Sequence, residues 1–269
     1  VKNVLLFCFA VFVLASCNNS EGNDNPGKPV KTTPVINYSV KRYLPHDTTS
    51  YTEGLLFHNG ALFESTGSPP DLLQTRSIAG PVNLTTGKID TKVEINRNYF
   101  GEGIVFLHDK LYQLTYKAKK GFVYDARSFK LLDSFPVFSA EGWGLTTDGT
   151  SLIMSDGSSN ISYLNPSDYK VAKILRITEL GDPVMELNEL EYVNGFLYAN
   201  IYTTSNIIKI DTQTGEVVGR LDCTSLVQEA RTRYPGAMEM NGIAWDSTTH
   251  TFYVTGKMWP NIYEISFPH

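Results

Sequence analysis

The chain has 269 residues, of which 42% are hydrophobic, 12% aromatic and 19% charged, with a formal net charge of −5. That is enough apolar material for one large domain or two small ones, and the lack of any basic run argues against nucleic acid and against an electrostatic membrane face. The five histidines (His46, His58, His108, His250 and His269) fall near turns or at the end of the chain, without HExxH or clustered spacing, so no histidine-based metal site is expected.

The amino-terminal residues read as an address rather than as fold. Lys2 supplies a positive charge ahead of an apolar run over 4–14, eleven residues that are too few to span a bilayer as a mature helix. Leu14-Ala15-Ser16-Cys17 follows and resembles the bacterial lipobox, which is cleaved before a cysteine that then receives lipid. Residues 1–17 are therefore expected to be a lipoprotein signal ending in lipidated Cys17, with the chain exported and anchored in the bacterial cell envelope, at its periplasmic face or on the cell surface. An ordinary secretory signal that happens to contain a cysteine is the plainer alternative. Residues 18–33 are rich in Asn, Gly, Ser and Pro with no apolar periodicity, the composition of a flexible tether. The folded body is expected over 34–269, where Cys223 stands alone, so no intrachain disulfide is possible.

Within that body the chain aligns with itself five times. The segments are YTEGLLFHNGALFESTG from Tyr51, FGEGIVFLHDKLYQLTY from Phe100, EGWGLTTDGTSLIMSDG from Glu141, LNELEYVNGFLYANIY from Leu187 and MNGIAWDSTTHTFYVTG from Met240. Each joins an apolar strand to an alternating one through a turn such as Asn-Gly or Asp-Gly, a hairpin signature. The anchor residues Leu55, Ile104, Leu145, Leu190 and Ile243 are 49, 41, 45 and 53 residues apart, which brackets one four-stranded propeller blade. Further turns in VNLTTGKI, YDARSFKL, LNPSDYKV and IDTQTGEV supply the outer two strands of each unit. The fifth unit runs out of chain one strand short, and INYSVKRYL over 36–44 is the candidate to complete it, a closure that leaves no exposed edge. Insertions at 68–80 and 224–235 break the rhythm, the second with room for a short helix. The pattern predicts an all-β, five-bladed propeller of four-stranded blades, its last blade closed by an N-terminal strand, rather than a sandwich or a solenoid of irregular hairpins.

Inner strands of a propeller line a central channel, so equivalent residues near their starts gather at one opening. Two residues before each anchor stand Glu53, Glu102, Trp143, Asn188 and Asn241; directly before it stand Gly54, Gly103, Gly144, Glu189 and Gly242. Glycine there lets backbones crowd at the narrow mouth. The mixed column beside it suits recognition of one asymmetric small ligand, although Glu-Gly and Asn-Gly taken singly are ordinary turn pairs. The ends of the following strands add Tyr116, Tyr202 and Lys257, and Lys257 reads equally well as a salt-bridge partner for the carboxylates.

At these residues the chain resembles the plant-type glutaminyl cyclases (glutaminyl-peptide cyclotransferases), which also occur in bacteria. The likeness runs through YTEGL, LFESTG, YFGEG, GWGLTTDG, LNELEYVNG, MNGIAWD and VTGKMWP in order, nearly the whole domain. It implies a five-bladed propeller, peptides or proteins with N-terminal glutamine as partners, no metal or other cofactor, and closure of that glutamine to pyroglutamate with loss of ammonia. Matched by motif, the resemblance makes Glu102 the proton-transferring acid/base, Trp143 a donor to the reacting amide, Asn188 and Lys257 further active-site groups, and Phe100 an apolar wall. Departures from the plant pattern are Glu53 for Gln, Tyr116 and Tyr202 for Trp, and Tyr51 for Phe. Glu53 is the consequential one: a second carboxylate near Glu102 raises one of the two pKa values, and Glu53 is expected to hold the substrate ammonium. The competing expectation is a non-catalytic, lipid-anchored propeller that binds peptide termini or glycans at the same mouth. No GxSxG element supports a hydrolase, and no heptad suggests more than a monomer.

Overall fold

The computed structural model describes Val1 and residues 31–269; the expected signal segment with Cys17, and the tether up to residue 30, lie outside the described residues. Thr32–His269 forms one compact unit. Its first strand, β1 (Ser39–Pro45), belongs to the last blade. Blade one holds β2 (Tyr51–His58), β3 (Ala61–Gly67), β4 (Ile78–Pro81) and β5 (Val93–Glu94). Blade two holds β6 (Gly101–Leu107), β7 (Lys110–Thr115), β8 (Lys120–Asp125) and β9 (Leu131–Pro136). Blade three holds β10 (Leu145–Thr147), β11 (Leu152–Met154), β12 (Asn160–Leu164) and β13 (Val171–Arg176). A small hairpin of β14 (Thr178–Glu179) and β15 (Asp182–Pro183) leads into blade four, which is β16 (Leu187–Val193), β17 (Phe196–Ile201), β18 (Asn206–Asp211) and β19 (Val217–Asp222). Helix α1 (Thr224–Arg233) fills the second insertion, burying Leu226, Val227 and Ala230. Blade five is β20 (Met240–Asp246), β21 (Thr251–Gly256) and β22 (Asn261–Ser266), with β1 as its outermost strand. This is the five-bladed propeller that the repeat predicts. Among the described residues no helix is long and apolar enough to cross a membrane.

Local chemistry explains the hairpins. Asn59-Gly60 and Asn194-Gly195 each put two successive residues at positive φ (50° and 77°, 51° and 87°) inside two-residue loops, the twist that matches antiparallel strands. All five anchor residues are buried. Each pair of adjacent blades shares an apolar cluster; Leu55, Leu62 and Val82 of blade one meet Ala244, Tyr253 and Ile262 of blade five in the one that closes the ring.

The inner strands β2, β6, β10, β16 and β20 neighbour one another around the axis. In four of them the pairing with the next strand slips at the start: between Thr52 and Gly54, Gly101 and Ile104, Leu187 and Leu190, and Met240 and Ile243. The ladder is therefore interrupted where four of the five blades reach the channel mouth; β10 of blade three pairs regularly. The glycines do what the sequence predicts: a Cβ on Gly103 would come within 2.5 Å of the Leu145 nitrogen, and one on Gly144 within 2.2 Å of the Asn188 carbonyl oxygen. Gly242 needs its φ of 118° as well. Glu189 breaks the glycine column and replaces close approach with hydrogen bonds, accepting from the backbone N–H groups of Leu55 (3.2 Å) and Ile243 (2.7 Å).

The closure of the ring has its own fastening. His46, just past β1, faces the Trp259 carbonyl with Nδ1 (2.7 Å) and Glu64 Oε1 with Nε2 (3.0 Å), and both side chains are 0% exposed. Thr52 Oγ1 donates to the same Glu64 oxygen at 2.7 Å. The turn of blade one leans on this latch, for Gly87 lies so close to the His46 backbone that a Cβ would meet it at 2.6 Å. Burial pulls the His46 pKa down, but the charge and hydrogen bond of Glu64 and the Trp259 carbonyl outweigh it, and the net shift is upward from 6.5.

Removing one partner of a buried ion pair strands the other, at a cost of about 3–5 kcal/mol. His46→Ala and Glu64→Gln should each lower the denaturant midpoint accordingly, measured by chemical unfolding. Because the folded-state pKa of His46 is raised, its contribution is full below pH 6.5 and fades as pH rises through the folded value; wild type should lose this increment with rising pH and His46→Ala should not.

Candidate functional site

One pocket of about 460 Å³ opens at the bulged ends of the inner strands. Its floor carries Glu53, Glu102, Trp143 and Asn188, so four of the five column residues meet there; the second ring of Tyr116, Tyr202 and Lys257 joins them, with Phe100 and Tyr51 in the wall. The bulges account for Glu53, Glu102 and Asn188, whereas Trp143 lies just before the regularly paired β10. An extra residue in a strand interrupts strict alternation and re-aims a side chain, here along the axis instead of into a blade interface.

The aromatic wall is built of two groups of rings. Phe100 packs edge-on to Tyr51 (5.9 Å between centroids) and tilts against Tyr116 (5.8 Å), while Trp143 meets Tyr202 edge-on at 5.6 Å. Gly67 leaves room for the Phe100 ring and Gly157 for the Trp143 ring, at 2.2 and 2.8 Å from where a Cβ would lie. Lys257 puts its ammonium 4.7 Å from the Tyr51 ring and 5.1 Å from the Tyr202 ring.

The expectation that Glu53 holds a substrate ammonium meets a carboxylate engaged at both oxygens. Lys257 Nζ donates to Oε1 at 2.8 Å and Asn241 Nδ2 to Oε2 at 3.0 Å. Lys257 is thus the salt-bridge partner that the sequence left as its second reading. Asn241 sits below the pocket as a brace, also donating to the Thr52 carbonyl (3.1 Å). Burial raises the Glu53 pKa to about 7, against the lowering pull of Lys257. The Lys257 ammonium loses from burial but gains more from Glu53, and its pKa is raised.

Glu102 is the contrasting carboxyl. It is buried, and among the described residues nothing donates to its side chain; its backbone carbonyl accepts from Ser65 Oγ at 2.6 Å, which ties blade two to blade one. Burial lifts its pKa well above the carboxylate range, and the negative charge of Glu53 lifts it further. The effect of a second carboxylate anticipated from the sequence therefore falls on Glu102.

Asn188 is also buried, with Oδ1 unpartnered among the described residues and its backbone carbonyl held by Ser155 Oγ at 2.6 Å. Trp143 differs from expectation: its indole N–H donates to Glu141 Oε2 at 2.9 Å, and Lys117 lies 3.4 Å from the other Glu141 oxygen. Sequence reading passed over Glu141, although it stands two residues before Trp143 in EGWG. It also passed over Arg97 and Asn98 and the Ser68-Pro69-Pro70 turn, which line the pocket beyond Phe100. Among the described residues no three His, Cys, Asp or Glu side chains converge as a metal-ligand set.

A family model described as glutamine cyclotransferase matches residues 8–267. A glutaminyl-peptide cyclotransferase of Arabidopsis thaliana is 34% identical over 258 residues, which cover 95% of this chain and 79% of that protein. The crystal structure of Myxococcus xanthus glutaminyl cyclase superposes with a TM-score of 0.79 at 30% identity, covering 88% of this chain and 98% of that one.

Glu53→Gln removes the negative charge that raises Glu102 and leaves the Lys257 ammonium with one fewer counter-charge. The Glu102 pKa should fall in this variant, read by ¹³C-carboxyl NMR titration. An unchanged Glu102 titration would show that the two carboxyls do not communicate.

Proposed function

The chain belongs to the glutamine cyclotransferase family, and we propose that it closes the N-terminal glutamine of peptides and proteins to pyroglutamate with release of ammonia. The observation that carries this reading is the pairing of a buried, unengaged Glu102 carboxyl with the buried, unpartnered Asn188 Oδ1 on the floor of an aromatic pocket.

The chemistry needs little more. The α-amine attacks its own side-chain amide carbon, the new C–N bond makes that nitrogen acidic, and the amide nitrogen leaves only once it has gained a proton. A carboxylic acid that protonates the departing nitrogen and takes a proton from the attacking one balances the transfer, with one hydrogen left on the lactam nitrogen. The amine, with a reference pKa of about 7.7–8.0, must be neutral to attack. Neutral amine with protonated Glu102 and ammonium with Glu102 carboxylate contain the same number of protons, so a single transfer interconverts them. The raised Glu102 pKa brings the two states closer in energy than an ordinary carboxylate would, which is what a proton shuttle requires.

The remaining groups divide the work. Asn188 Nδ2 donates to the amide oxygen as charge develops there, the role of an oxyanion donor, and Oδ1 takes an N–H. Trp143 serves as a second donor once Glu141 turns from the indole toward Lys117. Burial first and the Glu53 charge second favour the protonated form of Glu102, with Lys257, the ion-pair partner of Glu53, pulling the other way, and Phe100, Tyr51, Tyr116 and Tyr202 exclude water from the reacting atoms. We also read residues 1–17 as a lipoprotein signal, 18–33 as a tether and 34–269 as the catalytic body, a monomer held by Cys17 in the cell envelope. The lipobox-like Leu14-Ala15-Ser16-Cys17 supports that reading.

Incubation of a Gln-initiated peptide with the protein should give loss of ammonia by mass spectrometry well above the spontaneous rate. Glu102→Gln should lower kcat by about 10²–10⁴-fold; wild-type turnover in that variant would remove Glu102 from the mechanism. Binding without turnover would favour a peptide-terminus or glycan binder instead. For the anchor, Cys17→Ser should abolish incorporation of labelled fatty acid and release the protein from the membrane fraction.

A further inference from the structure

The pocket extends past the reacting groups to a rim of different chemistry. Glu102, Trp143 and Asn188 lie at or just before the starts of the inner strands, whereas Arg97 and Asn98 belong to the segment joining blades one and two and the Ser68-Pro69-Pro70 turn to the one joining β3 and β4. A glutamine whose amine and side-chain amide both face the floor has only its carbonyl side left to point outward. The residue that follows it must therefore leave along the rim.

Two cationic side chains line the pocket, and they differ in one respect. Lys257 is held by Glu53 at 2.8 Å. Arg97 has no carboxylate within ion-pair distance among the described residues; its guanidinium donates to neutral acceptors, Ser68 Oγ at 3.0 Å and the carbonyls of Leu73 and Thr75 at 3.4 Å each. Those acceptors are themselves fixed. Ser68 Oγ donates to the Thr75 carbonyl at 3.2 Å, Thr75 Oγ1 to the Leu72 carbonyl at 2.6 Å, and Ser68 and Thr75 are both buried. Pro69 and Pro70 lock two φ angles of the same turn. The insertion thus holds a guanidinium at the pocket lining through Nη1 and Nη2, with Nε–H left without an acceptor among the described residues; an uncompensated cation with a donor to spare suits a carboxylate.

We propose that Arg97 is a specificity-determining residue that binds a carboxylate borne one residue beyond the glutamine, so that substrates with an acidic second residue or a free carboxyl-terminus there are preferred. This rests on the cyclisation reading and adds the substrate class to it. An ion pair at an exposed rim contributes about two- to fivefold, and salt screens it.

The test uses carboxyl-terminally amidated peptides matched except for Glu or Gln at the second position, and the dipeptide Gln-Ala as free acid and as amide. Wild type should show a kcat/KM about two- to fivefold higher for the Glu peptide, for the free-acid dipeptide, or for both, carried in KM and reduced in high salt. The first comparison reports a side-chain carboxylate and the second a terminal one. In Arg97→Gln the charged-to-neutral ratio should fall to about one, and Arg97→Lys should keep part of it. No preference in either wild-type comparison, or a preference that survives in Arg97→Gln, would overturn the proposal. Cyclisation of none of the four substrates would instead refute the activity on which it rests. Wild type alone decides between preference and none, so the proposal stays testable if a variant fails to fold.

Discussion

Five inner strands converge on one axis, and their backbones approach so closely there that a single added methyl is not tolerated at Gly103 or Gly144. This crowding is the constraint from which the rest follows. Strands so close cannot all keep regular pairing with their own blades, and four of them slip into a bulge at the same level. The freed backbone groups find partners on the next blade: Gly103 N–H donates to the Trp143 carbonyl at 2.9 Å and Gly242 N–H to Asn200 Oδ1 at 3.0 Å. The device that relieves the crowding also joins neighbouring blades, and in blades one, two and four it lies where Glu53, Glu102 and Asn188 meet the pocket.

Because those side chains share a small space, their charges are not independent. Glu53 and Lys257 neutralise one another, and Asn241 satisfies the second Glu53 oxygen, so the pair behaves as a fixed dipole. Glu102 meets burial and a neighbouring negative charge with no compensating donor, and its pKa rises. Deeper along the axis Glu191 follows the same rule: burial raises its pKa to about 8 although the Trp245 N–H donates to it at 2.9 Å. A carboxyl that favours keeping its proton is thus a product of architecture, since an exposed glutamate on a loop would be ionised.

The fold was legible because a propeller repeats its physics. Hairpin turns, buried anchors and the glycine column recur at blade intervals, and the closing strand was found by counting what the fifth unit lacked. Of the site, the column and the second ring were legible for the same reason, since equivalent positions converge. What remained hidden was how the side chains pair. Glu53 and Lys257 are 204 residues apart, Glu189 and Leu55 are 134 apart, and bulges suspend the alternation that would say which way each side chain turns. Arg97 escaped because it lies off the repeat, in a connecting segment whose placement depends on the insertion at 68–80; Glu141 opens the third repeat segment, but at a position where the first two carry the aromatic rings of Tyr51 and Phe100, so the repeat did not mark a carboxylate there. The motif resemblance marked Trp143 as a donor to the reacting amide but carried no information about the carboxylate that holds its N–H.

The latch at His46 gives the ring a property that concerns time rather than space. Strand β1 is made first, yet its partner β22 comes last, with Ser39 and Ser266 separated by 227 residues. Contacts at such range are slow to form, because the chain must lose most of its freedom before they contribute. Until β22 exists, β1 has no neighbour, Glu64 has no imidazole held in place beside it, and the segment carrying Lys257 is not fastened between blades one and five. The reacting pocket is therefore complete only when both ends of the folded body have met in the last blade.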